Sequence, residues 1–197
     1  SGRGIHWTEQ EDYPLQAGDV FVILKGQAHG YRDTENFRII NLLFDFDLLG
    51  LPLYDLTRSG GFHCLFTLSP NWRLQPHFRS RLRLPAREFR AVLDAVDMLE
   101  EEVRRRQSGY QACAAGIFGT LVARLSRLCE RHAGGIPPPA LRLANVLAYM
   151  EAEFRVPHTL GALSARACMS RSAFCQAFRE AMGVPPMAYL VRLRLRE

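Results

Sequence analysis

The sequence predicts an α+β fold: an antiparallel β segment, then a pair of long helices, then a wholly helical C-terminal part. Three observations carry this. From Ile5 to about Phe46, short β-rich runs alternate with turn residues, the spacing of strands joined directly to one another in an antiparallel sandwich or barrel. Between Pro85 and residue 132, two apolar stripes recur at helical spacing. Finally, TLGALSARACMSRSAFCQAF, Thr159 to Phe178, reads as two short helices joined by a tight corner.

Taken in order, the β part comprises GIHW, YPL, the corner Gln16-Ala17-Gly18-Asp19, the run VFVIL, the turn Lys25-Gly26 and the long run FRIINLLFDF. A further strand is expected at Phe62–Leu68, between Gly60-Gly61 and Pro70. Pro85 opens the first long helix, with Phe89, Val92, Leu93, Val96, Leu99 and Val103 on one face, and Gly109 ends it after Arg104-Arg105-Arg106. Proline in the first turn and cations in the last suit the helix dipole. The second helix lines up Ile117, Leu121, Leu125 and Leu128. Two such helices joined by a few residues form an antiparallel hairpin. The pattern fits burial against a second copy of the chain as well as burial within one chain. Gly134-Gly135 and Pro137-Pro138-Pro139 then combine freedom with a stiff spacer, and residues 133–139 are the expected linker.

Past the linker, Leu143, Val146, Leu147, Met150 and Phe154 make the first C-terminal helix. Thr159 and Ser170 are N-cap residues for the next two. Leu160, Leu163 and Ala167 on one helix, and Phe174 and Phe178 on the other, are the stripes that face each other. With Phe174, Ala177, Phe178 and Ala181 turned inward, Arg171, Ser172, Cys175, Gln176 and Arg179 face out, a small, polar and cationic surface. Glutamine matches adenine through two hydrogen bonds and arginine holds phosphate or guanine. Spacing alone equally describes a solvated helix face.

Composition bounds the function classes. The chain of 197 residues has a formal net charge of +5 and is 48% hydrophobic, ordinary for a soluble protein. The basic part is the C-terminal one, with eight arginines against four glutamates from residue 140 onward. Five cysteines with no CxxC spacing outline neither a disulfide framework nor a zinc site, and a reducing cytosol is the expected compartment. No membrane segment or leader is expected. The chain opens in what reads as mid-sheet and stops in mid-helix, so a fragment cut at both ends is expected.

The pattern LxxLSxxAxMSxSxFxxxFxxxxGxxPxxYL followed by Arg194-Leu195 resembles the first DNA-binding half of the AraC/XylS family of bacterial transcription regulators. It runs in register through Leu160, Leu163, Ala167, Met169, Ser170, Phe174, Phe178, Gly183, Pro186, Tyr189, Leu190 and Arg194. Ser164 stands where that family has alanine, and Cys168 where the corner often holds glycine. Gly18, Leu24, Gly26 and His29 resemble the second motif of the cupin barrel, and residues 5–132 resemble, more loosely, sugar-responsive members such as the rhamnose-operon regulators.

The resemblance implies a partial cupin-like antiparallel β barrel with effector-binding function in residues 1–132, its first strands missing and its helical hairpin at 85–132. It implies a first helix-turn-helix half-domain in residues 140–197, with a second half absent. DNA contacts are then expected from Arg171, Ser172, Cys175, Gln176, Arg179 and Arg194. Effector contacts are expected from His6, Trp7 and His29, although Trp7 also reads as a core residue and His29 as a strand-end residue or a metal ligand. The partners implied are promoter DNA, a small-molecule effector of the sugar class, RNA polymerase and a second copy of the chain through the hairpin. No cofactor, metal or catalytic residue is expected, and the setting is the cytoplasm, at the nucleoid. The alternative is a cupin-type metal-dependent enzyme, an isomerase or dioxygenase. It needs further His and Glu ligands from strands preceding His29.

Overall fold

The computed structural model describes residues 2–8, 12–23, 26–51, 54–68, 81–131 and 139–195. These form two compact units. The linker expected at 133–139 lies outside the described residues except for Pro139, which begins a helix.

The first unit takes residues up to Phe21, 26–51 and 81–124. Its sheet has strand order β2-β1-β4, from β1 (Arg3–Thr8), β2 (Asp12–Leu15) and β4 (His29–Glu35), all antiparallel. Alternation along β1 buries Gly4, His6 and Thr8 while Trp7 faces the other way. A second ladder joins β3 (Asp19–Phe21) to β5 (Arg81–Arg83). Asp19 sits opposite Arg83 there, and the guanidinium donates to both carboxylate oxygens at 2.8 and 3.1 Å. This paired geometry is the strong form of the ion pair, and only 2% of the Asp19 side chain is exposed.

The β part departs from the sequence pattern in two places, a strand without a signal and a run that is not a strand. Strand β4, HGYRDTE, is almost wholly polar and carries no apolar alternation to announce it. The run FRIINLLFDF is not a strand. Residues 37–45 have no regular structure, and a short helix α1 (Phe46–Leu49) follows, capped by Asp45. Near its end this segment packs through Phe44, whose ring lies 4.7 Å from Phe118, yet Ile40 is 54% and Leu43 92% exposed.

The long helices are α3 (Ala86–Arg105) and α4 (Tyr110–Arg131), joined by residues 106–109. Val92 and Val96 are buried on α3, and Phe118, Leu121, Val122 and Leu128 on α4. By length and composition α4 is apolar enough to cross a membrane, with mean hydropathy 1.3 in its best window.

The second unit takes residues 22–23, 54–68, 125–131 and 139–195. The strand expected at Phe62–Leu68 is a helix: α2 (Gly60–Phe62) runs directly into a π-helical turn, His63–Thr67. Ser59 caps it, accepting from the Phe62 amide at 3.2 Å, and the Glu130 carboxylate accepts from Ser59 Oγ at 2.9 Å and from the Gly61 amide at 3.0 Å. The two glycines are required by closeness. A Cβ on Gly60 would lie 1.8 Å from Asn145 Oδ1, and one on Gly61 2.0 Å from the Ser126 carbonyl oxygen. Packing against α4 and α5 (Pro139–Ala152) thus overrides the β-rich composition of FHCLFTL. Around this lies a dry core of Leu143, Leu147, Met150, Leu163, Phe174, Phe178 and Leu190, all at most 1% exposed.

Candidate nucleic-acid interface

The corner between α6 (Leu160–Arg166) and α7 (Arg171–Met182) is built by caps at both ends. Thr159 Oγ1 accepts from the Ala162 amide and Ser170 Oγ from the Ala173 amide, each at 3.2 Å, so both N-caps are where the sequence puts them. Between them Cys168 adopts φ +54°, its amide donating to the Ala165 carbonyl at 2.9 Å. The left-handed conformation is why glycine suits this corner. Ser164, buried, donates to the Gly161 carbonyl at 3.1 Å, which satisfies its hydroxyl inside the helix. Gly183, at φ +72°, closes α7 through its amide to the Arg179 carbonyl at 2.8 Å.

Leu163 of α6, Ala167 at its C-cap, and Phe174 and Phe178 of α7 are wholly buried. Phe178 meets Tyr189 of α8 (Pro186–Leu195) edge-on at 5.6 Å, and the Tyr189 hydroxyl donates to Glu151 of α5. This packing leaves Arg171, Ser172, Gln176 and Arg179 exposed on one helix and Cys175 half-buried between them. The Arg171 guanidinium lies back over Gly161, close enough that a Cβ there would sit 2.9 Å from it. Gln176 Nε2 donates to Glu180 Oε1 at 2.9 Å.

Arg194 is also exposed, but its guanidinium donates to the Phe154 and Val156 carbonyls at 2.7 and 3.0 Å. It ties α8 to the chain just beyond α5. Arg166 stacks over the Tyr149 ring at 3.8 Å. Neither contact is announced by spacing, since each joins residues far apart in sequence.

In the first unit His6 and His29 come together, ring centres 5.8 Å apart. His6 is wholly buried, stacked on Phe21 at 4.6 Å and on Tyr31 at 5.2 Å, with Nδ1 bonded to the Tyr13 hydroxyl. Among the described residues its buried Nε2 has no hydrogen-bond partner. Burial, with a smaller contribution from His29, lowers the His6 pKa from 6.5 to about 4, so the ring is neutral at pH 7. His29 is exposed, with Nδ1 3.2 Å from the Gln27 carbonyl. Trp7 lies on the opposite face of β1, its indole covering Gly30 at 2.5 Å from where a Cβ would stand. Among the described residues no three His, Cys, Asp or Glu side chains converge as a metal site. Sequence reading passed over His63, buried in the second unit, with Nε2 bonded to the Thr57 carbonyl at 2.6 Å and its pKa lowered by burial to about 4.

The order of strands and helices, ending in a capped helix pair with a polar and cationic outer face, defines an α+β chain that carries a helix-turn-helix. Comparison narrows the class. Residues 1–98 match the family model for the AraC-like ligand binding domain, and that part of the chain belongs to this family. Over 98% of its length the chain is similar to the HTH-type transcriptional activator RhaR of Klebsiella pneumoniae subsp. pneumoniae, 25% identical over 199 residues. RhaR of Escherichia coli O139:H28 and RhaR of Shigella boydii serotype 4 are each 24% identical over 197 residues and likewise cover 98% of the chain. The chain spans 65–66% of the length of these relatives, just under two-thirds. No solved structure matches it.

Proposed function

We propose that this chain is a ligand-responsive, sequence-specific DNA-binding regulator, an activator of sugar-metabolism genes. The observation that carries the reading is α7 itself: a capped helix whose buried face is aromatic and whose outer face presents Arg171, Ser172, Gln176 and Arg179. A helix of this kind fits a major groove. Gln176 reads a base, Ser172 and Cys175 allow close approach, and Arg171 and Arg179 hold phosphates. Arg194 serves mainly to clamp α8, given its two carbonyl partners.

A small molecule of the sugar class binds the first unit on the face where His6 and His29 meet. The unpartnered Nε2 of His6 supports that placement, because a buried polar nitrogen left without a partner costs about 1–3 kcal/mol. Trp7, on the other face of β1, stands apart from it. The α3–α4 hairpin carries a homodimer contact, RNA polymerase is the downstream partner, and the protein works in the cytoplasm at the nucleoid. The likeness to transcriptional activators supports the regulator over an enzyme.

The test uses the full coding product containing this chain and a set of duplexes with single base changes, at several salt concentrations. Gln176→Ala relaxes preference at one base pair by about 1–3 kcal/mol. Arg179→Ala weakens binding to all sequences and makes the salt slope shallower by about one. Uniform weakening by Gln176→Ala together with altered preference in Arg179→Ala overturns the assignment.

A further inference from the structure

On α7, Gln176 and Glu180 stand one helical turn apart on the exposed side, and the Gln176 amide nitrogen donates to Glu180 Oε1 at 2.9 Å. A carboxylate only accepts hydrogen bonds. The chemistry of the pair therefore fixes which end of the amide turns toward Glu180: the nitrogen does, leaving Oε1 and one N–H pointing away. Adenine offers a donor (N6–H) and an acceptor (N7) on its major-groove edge, whereas guanine offers two acceptors, N7 and O6. An amide with one N–H already engaged complements the first edge and sets its own oxygen against O6 of the second. Resting on the DNA-reading assignment above, we infer that Glu180 is a specificity-determining positioning residue: by holding the Gln176 amide in one orientation, it selects adenine over guanine at the base pair Gln176 reads.

The charge of Glu180 and its hold on the Gln176 amide act on DNA binding in different ways. A carboxylate on a helix whose exposed cations are Arg171 and Arg179 repels phosphate and lowers affinity for every sequence. Its cost is general, and orientation of one amide supplies a benefit confined to one base pair.

The experiment compares the full coding product containing this chain with its Gln176→Ala, Glu180→Gln and doubly substituted forms. The probe is a pool of duplexes with a randomised core, from which bound sequences are counted. Glu180→Gln keeps size and helix propensity but offers a donor as well as an acceptor, so the Gln176 amide is free to turn over. The expected result is a fall of about fivefold in adenine-over-guanine preference at a single position. Alongside it comes a modest rise in affinity for all sequences. In the Gln176→Ala background, Glu180→Gln changes no preference. A uniform affinity change with adenine preference intact makes Glu180 a charge alone and overturns the inference. If Gln176→Ala relaxes the preference and Glu180→Gln does not, only the role of Glu180 fails. If Gln176→Ala itself leaves preference untouched, the DNA-reading assignment fails and takes this inference with it.

Discussion

His6 and Phe178 are both wholly buried, and they stand for two ways of making an interior. Phe178 sits among Phe174, Leu163, Leu190 and Met150, a core that needs nothing but close packing. His6 sits in a sheet between Tyr13, Tyr31 and Phe21, with one ring nitrogen bonded and the other without a partner among the described residues. In the first unit, moreover, large apolar side chains such as Ile40, Leu43 and Leu48 face solvent. The helical unit thus closes its core with apolar side chains alone, whereas the sheet unit leaves both a polar atom and an apolar segment incompletely served. Under the proposed function the first arrangement suits a rigid platform for DNA and the second suits a site whose state changes when something binds.

The largest expected effect tests the rigid half of that contrast. Phe178→Ala should lower stability of the second unit by about 3–5 kcal/mol through lost burial and a residual cavity. Denaturant unfolding checks it, and a loss below about 1 kcal/mol would mean the core collapses around the gap and is less rigid than described. Next, Gly61→Ala should cost about 3 kcal/mol, because the new methyl meets the Ser126 backbone carbonyl rather than a movable side chain. Near-wild-type stability there shows that α2 can shift freely.

A pH series compares the units directly, since among the described residues each holds one buried histidine. His6 and His63 both titrate near 4 in the folded chain against 6.5 unfolded. Below about pH 6.5 the unfolded chain takes up protons that the folded chain refuses, so stability falls as pH drops from 6.5 toward 4, by up to about 1.4 kcal/mol per pH unit for each ring. His6→Gln should flatten the acid limb of the first unit and His63→Gln that of the second, followed by thermal melts between those pH values. An unchanged slope in either variant removes that histidine from the account.

Two smaller effects complete the set. Cys168→Gly, at φ +54°, should raise stability by about 0.5–1 kcal/mol, the cost of a side chain in the left-handed region outweighing glycine's greater unfolded freedom. A decrease shows that the Cys168 side chain contributes packing. Leu43→Ser, at a side chain 92% exposed, should change stability by less than about 0.5 kcal/mol. A larger loss places Leu43 in an interface, which analytical ultracentrifugation of the wild-type chain tests independently.

The sequence by itself determined the second unit's capped helix pair. Leu163, Ala167, Phe174 and Phe178 recur at helical spacing, Thr159 and Ser170 are capping residues, and removing the apolar stripes leaves the outer face of α7 by subtraction. Those signals are local, so they survive without knowledge of the fold. Only the tertiary structure decided the rest. FHCLFTL became a helix because Gly60 and Gly61 allow approach to Asn145 and Ser126. HGYRDTE became a strand because β1 needed a partner on its second edge. Arg194 found its carbonyl partners about forty positions back along the chain, and His6 lost its water to aromatic rings from three other strands. In each case the deciding contact joins residues distant in sequence, and no periodicity or propensity within one segment encodes the group that will arrive from another.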